Sequence, residues 1–249
     1  MITESQLKQV MPHLPAQKLQ LYLPHLNAAM RAHGVDSALR TAAFVAQLAH
    51  ESGEFRFMEE IWGPIAAQLR YEPPSDLAQR LGNTDPGDGQ RFKGRGPIQI
   101  TGRFNYRKYG DLLGIDLVAE PERAAQPEVA FATAGLFWQR NGLNELADTE
   151  QFVAITKRIN GGTNGLDDRQ QFYERAKSVL ATGFVADEAP ATRGATRGAR
   201  RLDAPLEPLS RGHEAMVELG VQPAPAAKKA PARKKAAPRK RLRAGEART

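Results

Sequence analysis

Apolar positions recur at helical spacing through most of the first 180 residues. Residues 3–11 form a short predicted helix, with Thr3 as its cap and Gln6 three residues on. A longer helix over about 15–33 follows. It places Leu19, Tyr22 or Leu23, Leu26 and Met30 at helical intervals, and Gly34 is its stop. The third helix opens at Asp36, a good N-cap. Leu39, Ala42, Ala43 and Ala46 follow at i, i+3, i+4 and i+7, while Phe44, Val45 and Leu48 cover the other faces. A helix apolar nearly all round belongs in the middle of a domain. This one ends in His50-Glu51-Ser52-Gly53, so polar groups stand at the end of a buried helix.

Residues 70–96 are rich in Pro, Gly, Asp and Asn and read as one long loop. Loops of that length inside compact domains are usually functional or disordered. A short extended piece at 98–101 follows it. Helices are then predicted at about 104–113, 127–140, 149–159 and 167–182, with Gly161-Gly162 separating the last two. No strand-rich block and no internal repeat appear, and the pattern predicts a mainly α fold.

The pattern changes after Val185. Residues 203–220 could form a short amphipathic helix around Leu206, Leu209, Met216 and Leu219. From Val221 onward there are 10 Lys and Arg against one Glu, among many Ala and Pro. Such a stretch cannot bury enough apolar surface to order itself and is expected to be disordered. The division is a folded catalytic unit over 1–185 and a low-complexity tail over 186–249.

Charge follows the same division. Residues 1–186 hold 20 Lys and Arg against 21 Asp and Glu; residues 187–249 hold 15 against 7. The net charge of +7 therefore resides in the tail. A protein devoted to nucleic acid is disfavoured, because the folded part is near neutral and has no base-reading motif. The tail resembles a histone-like basic tail, and tails of that kind bind polyanions by counterion release. Nucleic acid, anionic cell-wall polymers and lipopolysaccharide are the candidate partners, and a solubilising extension is the alternative. There is no cysteine, so disulfides and thiolate metal sites are excluded. The N-terminal ten residues lack the basic-then-apolar pattern of a secretory signal, and no apolar run reaches the ~18–20 residues of a membrane span. The expectation is synthesis in the cytoplasm and action on a cell wall after release, as a monomer, since no heptad seam or other dimer signal is present.

The candidate chemistry centres on Glu51. The C-terminal end of a helix is negative, and burial also disfavours a carboxylate, so both raise its pKa and suit a general acid. The competing reading is a surface glutamate at a frayed helix end. Glu60 lies nine residues on, about 13 Å of rise if the helix continued. Gly53 breaks the helix and lets the two carboxylates approach. Glu54 and Glu59 compete for the same role, and four glutamates in ten residues can also form a solvated face. Gly94-Arg95-Gly96-Pro97-Ile98-Gln99-Ile100-Thr101-Gly102 then precedes Asn105-Tyr106. Its glycines permit close backbone approach, and Gln99, Thr101, Asn105 and Tyr106 are hydrogen-bonding groups of the kind that grip sugars. A structural turn before a helix is the alternative. A phosphate loop is excluded, because no Lys-Ser or Lys-Thr follows the glycines.

Taken in order, His50-Glu51-Ser52-Gly53, Glu60, the Gly-Arg-Gly-Pro-Ile-Gln-Ile-Thr run with Asn105-Tyr106, Ile159-Asn160-Gly161-Gly162, and Asp168-Arg169 with Phe172-Tyr173 resemble glycoside hydrolase family 19. That family includes chitinases and phage endolysins, and the resemblance covers about residues 40–180. It implies a lysozyme-like helical fold, inversion at the anomeric carbon, and no metal or other cofactor. It makes Glu51 the general acid and Glu60, not Glu59, the general base acting on a water that Thr101 helps to hold. His50, Gln99, Asn105, Tyr106, Asn160 and Arg169 match substrate-contacting or site-organising positions, with Arg169 beside the acidic pair. The chain departs from the plant chitinases in lacking their disulfides and secretion signals and in its short loop between Glu60 and Arg95. These departures favour the compact endolysin type and peptidoglycan as substrate. Chitin is the alternative, and a wall-binding protein without turnover is a third reading.

Overall fold

The computed structural model describes residues 1–184, and the sequence-based expectations for residues 185–249 lie outside them. Eleven α-helices follow one another among the described residues: α1 (Glu4–Val10), α2 (Ala16–Ala32), α3 (Ala38–Glu51), α4 (Ala66–Leu69), α5 (Asp76–Leu81), α6 (Asp88–Arg91), α7 (Arg103–Leu113), α8 (Pro127–Arg140), α9 (Leu143–Asp148), α10 (Phe152–Asn160) and α11 (Leu166–Ala181). A 3-10 turn, Pro121–Ala125, leads into α8. The only β pairing among them is two isolated antiparallel bridges, Glu59 with Arg95 and Arg95 with Ile100. The mainly α, lysozyme-like expectation holds.

Helix α3 is the axis of the fold. Every residue from Thr41 to Glu51 is buried, as expected for a helix apolar on all sides. It packs along α11, while α2 packs on α8 and α1 on α11. Phe44 of α3 meets Trp138 of α8 edge to face, with ring centroids 5.0 Å apart. Trp138 is buried, so its indole N–H needs an acceptor, and Asn144 Oδ1 supplies one at 2.8 Å. Thr3 and Gln6 form the expected capping box on α1. The cap of α3 is a correction: Ser37, not Asp36, accepts the N–H of Arg40, and Asp36 instead pairs with the Arg40 guanidinium.

Two further corrections concern segmentation. The stretch 70–96 is not one loop, since it contains α5 and α6. The carboxylate of buried Asp88 accepts the N–H groups of Thr84 and Asp85 and the Arg103 guanidinium, which folds this polar sequence without a large apolar face. The helix predicted over 149–159 is α10, starting three residues later than expected because Glu150 takes a left-handed φ of +53°, and α9 before it was not predicted. The piece at 98–101 is a tight turn, with Gln99 at φ +54° and only Ile100 paired to Arg95.

The turn after α3 decides where the chain goes next. Gly53, Glu54 and Phe55 all have positive φ, at 54°, 61° and 58°. Two consecutive non-glycine residues in that region are strained, about 1–2 kcal/mol each. Three sets of contacts hold them. Ser52 Oγ donates to the Leu48 carbonyl and accepts the Phe55 N–H. Phe55 is fully buried against Tyr22 and Phe131. Glu54 is tied to His13 through the backbone N–H at 2.7 Å and ring Nδ1 at 2.6 Å. The chain is thereby reversed and runs back to Glu60.

Candidate active site

Two clusters of buried polar groups lie at either end of that turn. The first is built on α3 and α11. Glu51 Oε1 accepts Arg169 Nη2 at 2.5 Å, and neither side chain is exposed to solvent. The other guanidinium nitrogens of Arg169 are also held. Nη1 donates to Gln47 Oε1 at 2.5 Å and Nε to the Asn164 carbonyl at 3.2 Å. Gln47 lies one turn before Glu51, so both acceptors share a face of α3. One residue earlier on each helix, His50 Nδ1 meets Asp168 Oδ2 at 2.7 Å. The adjacent pairs His50-Glu51 and Asp168-Arg169 thus join the two helices by two side-chain links. Burial disfavours the Glu51 carboxylate and the guanidinium favours it. The helix-end argument alone did not contain that second influence.

The second cluster surrounds Glu60. Glu59 and Glu60 are neighbours on extended chain, so their side chains point to opposite faces. Glu59 points outward and pairs with Lys93 and Arg95 at 3.2 and 3.0 Å. Glu60 points inward, with 1% of its surface exposed. The N–H of Gly94 donates to its Oε2 at 2.9 Å, and Gln68 Nε2 donates to its Oε1 at 3.1 Å. Burial raises its pKa above the usual carboxylate value, against the pull of those two hydrogen bonds and of Lys93 and Arg95. A more basic carboxylate is the better proton acceptor. The geometry therefore separates the three glutamates that sequence spacing left open: Glu54 is turned toward His13, Glu59 toward solvent, and Glu60 into the interior.

Gln99 completes this cluster. Its amide Nε2 donates to the Gly96 carbonyl at 2.7 Å. Its Oε1 is buried, without a hydrogen-bond partner among the described residues. A Cβ on Gly94 would stand 2.5 Å from Gln99 Oε1 and 3.3 Å from Glu60 Oε2. Two buried acceptors thus converge on a backbone position that only glycine leaves open.

The remaining candidates take varied places. Thr101 is buried and its hydroxyl donates to the Gln99 carbonyl at 3.0 Å, which fixes the left-handed residue. Asn105 is half-buried and its amide donates to the Thr101 carbonyl at 2.8 Å. Tyr106 is fully buried, with its hydroxyl donating to the Lys93 carbonyl and accepting from Arg95. Its hydroxyl is thereby spent within the fold, holding Lys93 and Arg95. Burial pushes its phenol pKa up. Asn160 is half-buried at the end of α10, its Oδ1 without a hydrogen-bond partner among the described residues. Gln47, Gln68, Thr156 and Asp168 carry site contacts that the motif reading did not assign. For Gln47 the signal was present, as a polar residue four positions before Glu51 on an otherwise apolar helix.

A helical fold with two buried carboxylates fits a glycosidase, and the comparisons specify the family. The family model described as class I chitinase, of glycosyl hydrolase family 19, matches residues 28–147. A glycosyl hydrolase family 19 domain-containing protein of Haemophilus influenzae is 35% identical over 198 residues, covering 70% of this chain and 94% of that protein. The chain belongs to glycoside hydrolase family 19. An endochitinase of Arabidopsis thaliana is 43% identical over 123 residues, 49% of this chain, but the chain spans only 39% of that enzyme's length. Among solved structures, a bacterial family 19 chitinase superposes with a TM-score of 0.56 at 25% identity, covering 72% of this chain and 94% of the other. A class IV chitinase of Zea mays does so at 0.51 and 26% identity, covering 75% and 92%. Asn160, Asp168 and Arg169 lie beyond the stretch matched by the family model, and it is α11 that returns Arg169 to Glu51.

Proposed function

We propose that the chain hydrolyses β-1,4 bonds of an N-acetylhexosamine polymer with inversion. Glu51 protonates the glycosidic oxygen, and Glu60 takes a proton from the attacking water. Inverting enzymes hold acid and base roughly 6.5–9.5 Å apart to admit that water. The observation that carries the reading is the convergence of Glu60 Oε2 and Gln99 Oε1 on the bare Cα of Gly94. An attacking water bonded to these two acceptors donates one hydrogen to each and keeps a lone pair for the anomeric carbon. Thr101 supports it by fixing Gln99. Arg169 stabilises the carboxylate that Glu51 becomes once its proton has left, so it acts in the transition state. No step needs a metal or cofactor.

Peptidoglycan is the substrate we favour. The bacterial relative is covered almost end to end, whereas the likeness to the plant endochitinase spans half of this chain. Compactness and the short passage from Glu60 to Arg95 support the endolysin reading. Chitin is the second reading, supported by the names of the plant and bacterial enzymes that the chain is similar to. In either case the basic tail adds a polyanion contact, and action on the wall follows release from the cell. Clearing of purified sacculi is measured beside hydrolysis of glycol-chitin, for the wild type and Glu51→Gln. Clearing by the wild type alone supports peptidoglycan. Hydrolysis of glycol-chitin alone moves the substrate to chitin, and loss of neither activity in Glu51→Gln removes Glu51 as the acid.

A further inference from the structure

We propose that Gln47 and Thr156 form a relay that positions the Arg169 guanidinium on the acid, and that the neutrality of Gln47 sets how strongly that guanidinium acts on Glu51. The inference rests on Glu51 being the acid. Gln47 and Thr156 are both wholly buried. Gln47 Nε2 donates to Thr156 Oγ1 at 2.8 Å, which orients the amide so that its oxygen faces Arg169 Nη1 at 2.5 Å. The planar fork of Arg169 then spans two acceptors one turn apart on α3, Gln47 Oε1 and Glu51 Oε1. Thr156 belongs to α10, so three helices converge on one guanidinium.

A carboxylate at position 47 would make an equally good hydrogen bond. It would also share the guanidinium's charge and repel Glu51. The amide accepts the bond and leaves the positive charge to one carboxylate only. The charged and titratable groups at this junction are His50 and Glu51 on α3 and Asp168 and Arg169 on α11. Facing them, α10 contributes the uncharged Thr156. Asp168 is engaged by His50, so Gln47 is the neutral contact of Arg169 at which a charge can be introduced without touching the reacting carboxyl.

The test measures kcat and KM against pH on whichever polymer the wild type cuts. Thr156→Val is isosteric but removes the acceptor that orients Gln47. It is expected to lower kcat about tenfold with KM within about twofold, while Thr156→Ser restores the wild-type value. Gln47→Glu is expected to move the alkaline limb of the profile upward by about one pH unit, because a second carboxylate favours the protonated acid. A limb that stays in place in both variants, with all lost activity accounted for by a smaller folded fraction, overturns the proposal. Glu51→Gln is the control that separates the two levels. If it retains activity, the acid assignment fails and takes this inference with it. If it is inactive and the limb is unmoved, only the relay fails.

Discussion

Two glycines with the same backbone conformation allow the packing of α11 on α3 to be weighed. Gly114 ends α7 at φ +68°, and Gly165 precedes α11 at φ +67°. An L residue in that region costs roughly 1–2 kcal/mol at either position. They differ in what a methyl group would meet. At Gly114 nothing lies within 4 Å, whereas at Gly165 the new Cβ would fall inside the van der Waals envelope of His50 Cε1 and Nε2. His50 is 2% exposed and bonded to Asp168, so its ring cannot swing away without losing that bond. Overpacking of this kind costs about 1–3 kcal/mol. Gly114→Ala should therefore destabilise by ~1–2 kcal/mol and Gly165→Ala by ~2–5 kcal/mol, with the difference isolating the clash. Urea unfolding of both variants gives the two values. Gly165→Ala should also lose activity, since the displaced ring sits next to Glu51 in the chain, while Gly114→Ala should keep it. Equal destabilisation in the two variants would refute the claim that α11 is seated against His50.

Breaking one side of the buried ion pair strands the other. Arg169→Met should lose about 3–5 kcal/mol in urea unfolding, and Arg169→Met with Glu51→Gln should recover most of it. No recovery would mean that packing, not the stranded charge, is responsible. For Glu60 the folded pKa is raised, so the folded state holds the proton more tightly than the unfolded chain. The resulting stabilisation is full below the usual 4.5 and is lost as pH rises through the folded value. The melting temperature of Glu60→Gln minus that of the wild type should increase between about pH 4 and pH 7, and a flat difference would count against a buried, ionising Glu60. Gly94→Ala has no backbone penalty of the left-handed kind, but its methyl would crowd Gln99 Oε1. It should fold with a melting temperature lowered by roughly 2–12 °C and lower the kcat of the folded protein at least tenfold. Unaltered kcat would remove Gly94 from the water site.

Long amphipathic periods were legible in the sequence. Helices α1, α2, α3, α7, α8 and α11 follow from apolar spacing and cap residues, and their boundaries moved by one or two residues at most. What was not legible rests on polar contacts across long sequence separation. Helices α5 and α6 are held by Asp88 and Arg103, fifteen residues apart, and no local period records that. The break between α9 and α10 depends on one left-handed glutamate. Within the site, the motifs gave the acid and the base candidates by resemblance. Periodicity and spacing alone could not separate Glu54, Glu59 and Glu60, because the choice is made by a reversal of three positive-φ residues whose strain Phe55 and His13 offset. Likewise Tyr106 offers a sugar-binding hydroxyl by its chemistry, and only the depth of its ring in the fold shows that hydroxyl bonded to Lys93 and Arg95.

That reversal between α3 and Glu60 separates two kinds of rigidity. The proposed acid is mounted on a helix pair locked by the Glu51–Arg169 ion pair and by packing, a fixed jaw. The proposed base is mounted on a different segment, residues 60–95, which is tied to itself through Gln68 and Gly94 and is separated from Glu51 by eight residues. The solvent-facing part of that segment can lengthen, shorten or change its surface without a word to Glu51, so under the proposed function the grip on different polymers is free to change while the proposed proton donor stays where it is.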